Sequence, residues 1–458
     1  MNRHPHVLSS VRRELNDWRP WATRALVLAF AALAGLTVVL LTWMSDIALG
    51  WFNVIEGEAW WAPLFWTPAC TAAIVWITLR FAPGAAGSGI PQVMAALTPG
   101  VQPESRGLFV SIRLSVFKIV LTAWGLLAGL SLGREGPSVQ IAAGVMHRVR
   151  RWLPANSAVS EHGLLIAGGA AGIAAAFNTP LGGIMFAIEE LSRSVEQRSN
   201  GLVMAAIVLG GLMAVSIYGN ATHFGVIHVQ GLSMALVLPG LVVALTCGLA
   251  GGLFSRLLVV SLSGRSRDWF SRTRRRYPVR FAAGCGLAVA VIGIASLGTT
   301  FGSGNLHTRA LLENPESASS FYVVLKFVAT WLTTWAGVPA GIFAPSLSIG
   351  GALGNDVAHF FAQAQPQTLI ALGMVGFLAA VTQAPLTSFI IVMEMIDGHA
   401  MVLSLMACAL IASGASRLVS VPLYPALAEQ HLQRIPPEQT PPAKASPTRG
   451  ARLEDRQG

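Results

Sequence analysis

Pro137-Ser138-Val139-Gln140-Ile141 returns 208 positions later as Pro345-Ser346-Leu347-Ser348-Ile349, and at the same offset Lys118 meets Lys326. At an offset of 205, Ala174-Ala175 meet Ala379-Ala380, Pro180-Leu181 meet Pro385-Leu386, and Glu189 meets Glu394; a loop indel accounts for the difference. Matching Lys, Glu and Pro are not explained by shared hydrophobicity, so the chain reads as two related halves meeting near residue 225. Repeated halves with interrupted helices at matching places are the pattern of transporter folds whose site lies at the repeat interface near the bilayer midplane.

Composition sets the surroundings in which those halves fold. Of 458 residues, 53% are hydrophobic and only 11% charged, with a mean hydropathy of +0.59, against about 25% charged in soluble domains. No long polar block exists that would fold as a soluble domain, which makes this a polytopic membrane protein, all-α in class. Uncharged runs long enough to cross a bilayer include Ala25 to Met44, Ala59 to Leu79, Gly163 to Ile188, Leu232 to Ser255, Phe281 to Gly304, Phe327 to Asn355 and Pro366 to Met393. At roughly 20 residues or more, each is expected to be helical. Ile119 to Leu132 is too short to cross unaided, and Gly84 to Pro91 is broken by Gly and Pro. Half-spanning helices follow, and such backbone survives at membrane depth only where protein buries it or it lines a cavity. The expected divisions are a cytoplasmic segment 1–24, membrane repeats 25–225 and 226–433, and a disordered tail 434–458.

The formal charge of +10 would raise the question of nucleic acid in a soluble chain. Here the bases cluster at membrane edges, in Arg3 to Arg24, in Arg265 to Arg280 and after Arg434. The positive-inside bias places these clusters, and with them both termini, in the cytoplasm. The first twenty residues lack the layout of a cleaved signal, and no nucleic-acid partner is expected. Cys70, Cys247, Cys285 and Cys408 lie far apart in apolar stretches, and the ten histidines show no metal-ligand spacing, so neither a disulfide framework, a metal nor a cofactor is expected. An intramembrane enzyme would need a paired nucleophile and base or a metal cluster, and neither is present.

Three elements share one layout, with Pro four residues after a Gly: Gly87-Ser88-Gly89-Ile90-Pro91, Gly133-Arg134-Glu135-Gly136-Pro137 and Gly341-Ile342-Phe343-Ala344-Pro345. Each reads as a helix start, because glycine turns without a Cβ clash and proline is tolerated in the first turn, where its missing N–H costs nothing. Several such starts converging at the membrane centre present backbone donors and positive dipole ends. That attracts an anion without a full cation to trap it, and binding weak enough to release is what conduction needs.

The motifs G-S-G-I-P, G-R-E-G-P and G-I-F-A-P, in this order and spacing, resemble the three signatures of the CLC family of chloride channels and proton-coupled chloride exchangers. The likeness runs from about residue 25 to 430, including A-A-A-F-N-T-P-L at 174–181 and P-L-Y at 422–424. It implies a CLC-type fold of two inverted-topology repeats with broken helices, homodimeric, with one anion path in each subunit of a cell membrane protein. It also implies that the hydroxyls of Ser88 and Tyr424 and the backbone N–H groups of Ile342 and Phe343 hold the central chloride. Hydroxyl and amide donors suit such an anion, replacing its water at modest cost.

Glu135 stands out independently, since a carboxylate inside a glycine-proline break in apolar sequence is costly unless it has a task. Burial and a neighbouring cation such as Arg134 act on a carboxyl in opposite senses, which poises it to titrate. The resemblance makes Glu135 a gate that mimics chloride and carries a proton, and makes Glu190 the inner glutamate that receives protons in exchangers. A passive helix-end role for Glu190, and with it a voltage- or pH-gated chloride channel, is the alternative; a relative tuned to nitrate or fluoride is another. Lys118 aligns with a lysine near the anion path and is expected to contribute electrostatically, while Lys326, Glu189 and Glu394 read as structural. Met94 stands where a charged residue is expected, which bears on the pairing of Lys118.

Overall fold

A computed structural model describes residues 18–154, 159–192, 201–219, 224, 236–264, 266, 268–315, 321–361 and 365–433. The first half begins with α1 (Trp18–Glu58) and α2 (Pro63–Phe81), then a short helix α3 (Ile90–Leu97), α4 (Ile112–Leu127), α5 (Glu135–Arg148), α6 (Glu161–Phe177), α7 (Pro180–Phe186) and α8 (Gly201–Tyr218). The second half runs through α9 (Val237–Ser263), α10 (Trp269–Arg276), α11 (Pro278–Ala295), α12 (Asn305–Glu313), α13 (Tyr322–Ala336), α14 (Phe343–Ala358), α15 (Pro366–Thr382), α16 (Pro385–Met395), α17 (Val402–Arg417) and α18 (Leu423–Leu432). Among the described residues there is no β-strand, and six helices are long and apolar enough to cross a membrane. The expected tail and most of the N-terminal segment lie outside the described residues.

Three of the expected continuous helices are broken. The run Gly163 to Ile188 ends its first helix at Asn178, whose φ of 58° is left-handed, and Pro180 restarts it; the run Pro366 to Met393 breaks the same way at Gln383, also at 58°, before Pro385. Hydropathy does not register these breaks, because a left-handed C-cap followed by proline at a helix start needs only three residues. Phe327 to Asn355 is interrupted between Ala336 and Phe343, and Phe281 to Gly304 is helical only to Ala295. Conversely, α8 and α17 are both long and apolar enough to cross a membrane and lie outside the expected runs.

Small residues set the packing in both halves, as they do where lipid removes any hydrophobic drive between helices. A Cβ on Gly168 or Gly172 would run into Ala142, Ala143 and Ser138 of α5, so α6 lies directly on α5. The counterpart pair, α15 on α14, relies on Gly350, Gly354 and Gly373, whose added Cβ atoms would strike backbone of the facing helix. These two pairs hold the helices that begin at the second and third signature motifs.

The halves also repeat one bonding scheme. Lys118, fully buried, donates to the carbonyls of Ala85 (2.8 Å) and Gly87 (2.6 Å), and Lys326, equally buried, donates to Thr300 (2.9 Å) and Gly302 (2.8 Å). Each lysine pins the loop that leads into a short helix. Glu189 accepts from the backbone N–H groups of Leu386 (3.1 Å) and Thr387 (2.6 Å) at the start of α16, while Glu394 accepts from Leu181 (3.2 Å) and Gly182 (2.8 Å) at the start of α7. The two glutamates thus cap each other's helix across the halves, which is favourable at the positive end of a helix.

Candidate functional site

The three signature motifs meet through their backbones. Gly133 and Gly341 exchange both hydrogen bonds, at 2.8 and 2.9 Å, as an isolated antiparallel bridge. Gly87 donates to Val338 and accepts from Ala340, each at 3.2 Å. Sewn together in this way, the starts of α3, α5 and α14 face one place. Gly136 sits at the meeting point: a Cβ there would overlap the Ser88 hydroxyl and lie 3.3 Å from Cα of Gly341. Gly89 is needed for a second reason, its φ of 108° lying in the region that only glycine enters readily.

All three starts have the expected first turn. Val93 donates to Gly89, Ser138 to Arg134 and Ser346 to Ile342, at 3.2, 3.0 and 3.0 Å. The N–H groups before these residues have no carbonyl of their own helix to bond, and Pro91, Pro137 and Pro345 occupy places where an N–H is not missed. Ile342 is the N-cap of α14 and Phe343 its first residue, both buried.

Ser88, Ile342 and Tyr424 line one narrow cavity of about 70 Å³. Tyr424, in the first turn of α18, is fully buried and its ring stacks on Phe343 at an interplanar angle of 14°. The hydroxyl oxygens of Ser88 and Tyr424 are both buried and lie near each other, and neither makes a hydrogen bond of ordinary geometry to any described residue. Two buried hydroxyls without such bonds are costly, and their sharing one cavity with a helix start is what a dehydrated anion requires.

Glu135, 2% exposed, turns its carboxylate onto the start of α14, where Oε2 accepts from the Ala344 N–H at 3.4 Å. Arg134 does not bond Glu135; it donates to Asp46 (2.5 Å) and to the Thr42 carbonyl (3.3 Å) of α1. Asp46 was not legible as part of the candidate site, since it is 88 positions away near the end of a long apolar run of α1. Glu190 lies on a π-turn, Ala187–Leu191, that continues α7, and is 8% exposed. Such π-turns recur at functional sites. Lys118 is held by carbonyls alone, and Gln92, buried in α3 two residues before Met94, bonds the Gly89 N–H (3.0 Å) and the Ala86 carbonyl.

A fourth element escaped the sequence reading. Gly302-Ser303-Gly304 repeats Gly87-Ser88-Gly89, with Gly302 and Gly304 at φ 65° and 87° as Gly87 and Gly89 are at 75° and 108°. Thr308 donates to Gly304 as Val93 does to Gly89. The signal was present as a repeated G-S-G, but at an offset of 215 rather than 208 and without the following proline.

Broken helices whose starts converge on two buried hydroxyls, with a carboxylate seated on one start, have the architecture of a polytopic helical transport protein. The chain belongs to the voltage gated chloride channel family, whose model matches residues 70–417. It is similar to the H(+)/Cl(-) exchange transporter ClcA of Citrobacter koseri, at 30% identity over 430 residues, covering 88% of this chain and 87% of that protein. The transporter of the same name from Salmonella typhi is 29% identical over 455 residues, covering 93% of each chain. Among solved structures, a slow cyanobacterial Cl−/H+ antiporter aligns with a TM-score of 0.76 at 25% identity, covering 92% of this chain and 99% of that one. A CLC-type fluoride/proton antiporter shares the fold, with a TM-score of 0.73 at 22% identity, covering 89% of this chain and 97% of that one.

Proposed function

We propose that this protein exchanges chloride for protons across a membrane. The observation that carries the reading is the Glu135 carboxylate seated on the start of α14, beside the cavity that holds the Ser88 and Tyr424 hydroxyls. An ionised carboxylate there satisfies helix-start N–H groups as an anion would. Once protonated it loses its charge and most of its hold on those donors, so it leaves and chloride takes the place. The proton then travels with the side chain. Glu190 serves as the proton's station on the other side, a buried carboxylate being expensive unless used. Ser88, Tyr424 and the N–H groups of Ile342 and Phe343 bind the central chloride, with Arg134 and Lys118 shaping the potential around it. The relatives named as exchange transporters support this reading over a channel.

The same reading assigns repeats to 25–225 and 226–433, supported by the matched lysine clamps and the reciprocal glutamate caps. It places the protein in a bacterial cytoplasmic membrane with both termini inside, as a homodimer with one path per subunit, in line with the family likeness. Transport needs no covalent chemistry, and no resident cofactor enters the scheme.

The test uses purified protein in liposomes with a chloride gradient, no initial pH gradient, and voltage clamped by a potassium ionophore. Chloride-driven uphill proton movement that persists under the clamp and disappears in Glu190→Gln supports exchange. Chloride flux without proton movement in the unmodified protein makes it a channel. Faster flux with nitrate or fluoride replacing chloride reassigns the anion.

A further inference from the structure

The cavity that contains Ser88 and Tyr424 does not end at those hydroxyls. Its lining continues to Arg274, Gln430 and His431, with no carboxylate among the lining residues. Arg274 belongs to α10, the short basic helix between two spanning helices, α9 and α11. Its neighbours Arg272, Arg275 and Arg276 are exposed, whereas Arg274 is half-buried. One guanidinium nitrogen donates to the Ser261 carbonyl at 3.2 Å, and the other lies 3.9 Å from where a Cβ on Gly337 would sit. Gly337 ends α13, at φ 91°, and opens the connection that leads to Ile342 and Phe343.

The helix is firmly placed. Asp268 caps it by accepting from the Ser271 N–H at 2.8 Å, and Phe270 packs on Trp335, which packs in turn on Phe281. Arg274 is therefore a fixed cation at the mouth of a cavity whose deeper end offers only neutral donors. A full charge at the centre would hold an anion too long, but at the mouth it raises the local anion concentration and leaves release untouched.

We infer that Arg274 is the entry residue of the anion path, collecting small monovalent anions from the face that bears α10 and delivering them to the Ser88 and Tyr424 hydroxyls. The inference rests on the anion path proposed above. It assigns Arg274 to entry from one side only, with no part in proton movement.

The test is Arg274→Cys in liposomes, with chloride varied on the α10 face. Half-saturating chloride from that face rises about tenfold, the low end of what a charged cleft contributes, while the value from the opposite face and the proton-to-chloride ratio stay unchanged. An aminoethyl methanethiosulfonate reagent, which restores a positive charge, returns the value toward normal, and the sulfonatoethyl reagent raises it further. The native protein serves as the control, since Cys70, Cys247, Cys285 and Cys408 are all buried. Arg274→Lys, which retains the charge, stays within about threefold of native, a difference under about 1 kcal/mol, and Arg274→Gln, with the same tenfold rise expected, replaces the cysteine variant if that does not fold. A response indifferent to the sign of the reagent, or equal from both faces, overturns the entry role. Absence of chloride flux in the native protein defeats the underlying path as well.

Discussion

The carboxylate of Glu135 accepts a hydrogen bond from the backbone N–H of Ala344, 209 positions further along the chain, at 3.4 Å. The side chain at the start of one half's helix thereby satisfies the start of the other half's helix. The Arg134 guanidinium bonds Asp46 instead, so the carboxylate is held by backbone N–H groups, those of Arg134 and Glu135 at its own helix start together with that of Ala344.

Glu135→Gln has the shape of the protonated side chain and cannot release a proton. Chloride flux in liposomes is expected to continue and to lose its dependence on pH, and proton movement is expected to fall to the leak of protein-free vesicles. Retained coupled proton movement in this variant removes Glu135 from the proton route.

Ser88→Ala and Tyr424→Phe each delete one buried hydroxyl that makes no hydrogen bond of ordinary geometry to the protein. A hydrogen bond to a charged group contributes about 1.5 to 3 kcal/mol, so chloride dissociation constants measured by calorimetry should rise about tenfold or more. Thermal unfolding in chloride-free buffer should change little, because neither substitution breaks a hydrogen bond of ordinary geometry. A drop in stability with unchanged chloride affinity assigns these hydroxyls to structure instead.

Glu189→Ala and Glu394→Ala each strand two backbone N–H groups at the start of a helix in the other half. The loss should be about 1 to 3 kcal/mol for the buried N–H of each pair, that of Thr387 or Gly182, and less for the exposed one, visible as lowered thermal unfolding temperatures of both variants in detergent. Chloride affinity of the protein that remains folded should stay native. A variant that unfolds at the native temperature shows that water replaces the cap.

Asp268, outside the spanning helices, has its carboxyl held down to about 2 by hydrogen bonds from the Ser266 hydroxyl and from the Ser271 N–H and hydroxyl. A depressed folded-state value means that the cap's contribution is complete above the ordinary aspartate range and fades as pH falls through about 2. Hydrogen exchange of the first turn of α10 should therefore accelerate only at strongly acid pH. Asp268→Asn should abolish that pH dependence, and an unchanged acid transition in this variant assigns it to another group.

Much of the candidate site's backbone geometry was legible in the sequence because it is local. Glycine at a turn or a close approach and proline in a first turn are demands of a few consecutive residues, so the starts at Gly89, Arg134 and Ile342 were found where the structure has them, with left-handed glycine only at the first. Glu135 was legible because a carboxylate in apolar sequence is costly wherever it is placed. The helix breaks at Asn178 and Gln383 were missed because the apolar runs continue through them, although Pro180 and Pro385 were both noted as repeat matches. The G-S-G at 302–304 was missed because loops of different length shift its offset.

Amino-acid order alone determined the membrane setting, the duplicated plan, and which short segments begin helices, since each follows from composition, periodicity or local backbone sterics. Only the tertiary structure decided which groups meet: Glu135 with Ala344, Arg134 with Asp46, Glu189 with the start of α16, and Arg274 with the cavity of Ser88. Those pairings join residues scores to hundreds of positions apart. Packing of glycine-faced helices and the demand that every buried donor find an acceptor bring them together, and neither constraint is expressed in any single stretch of chain.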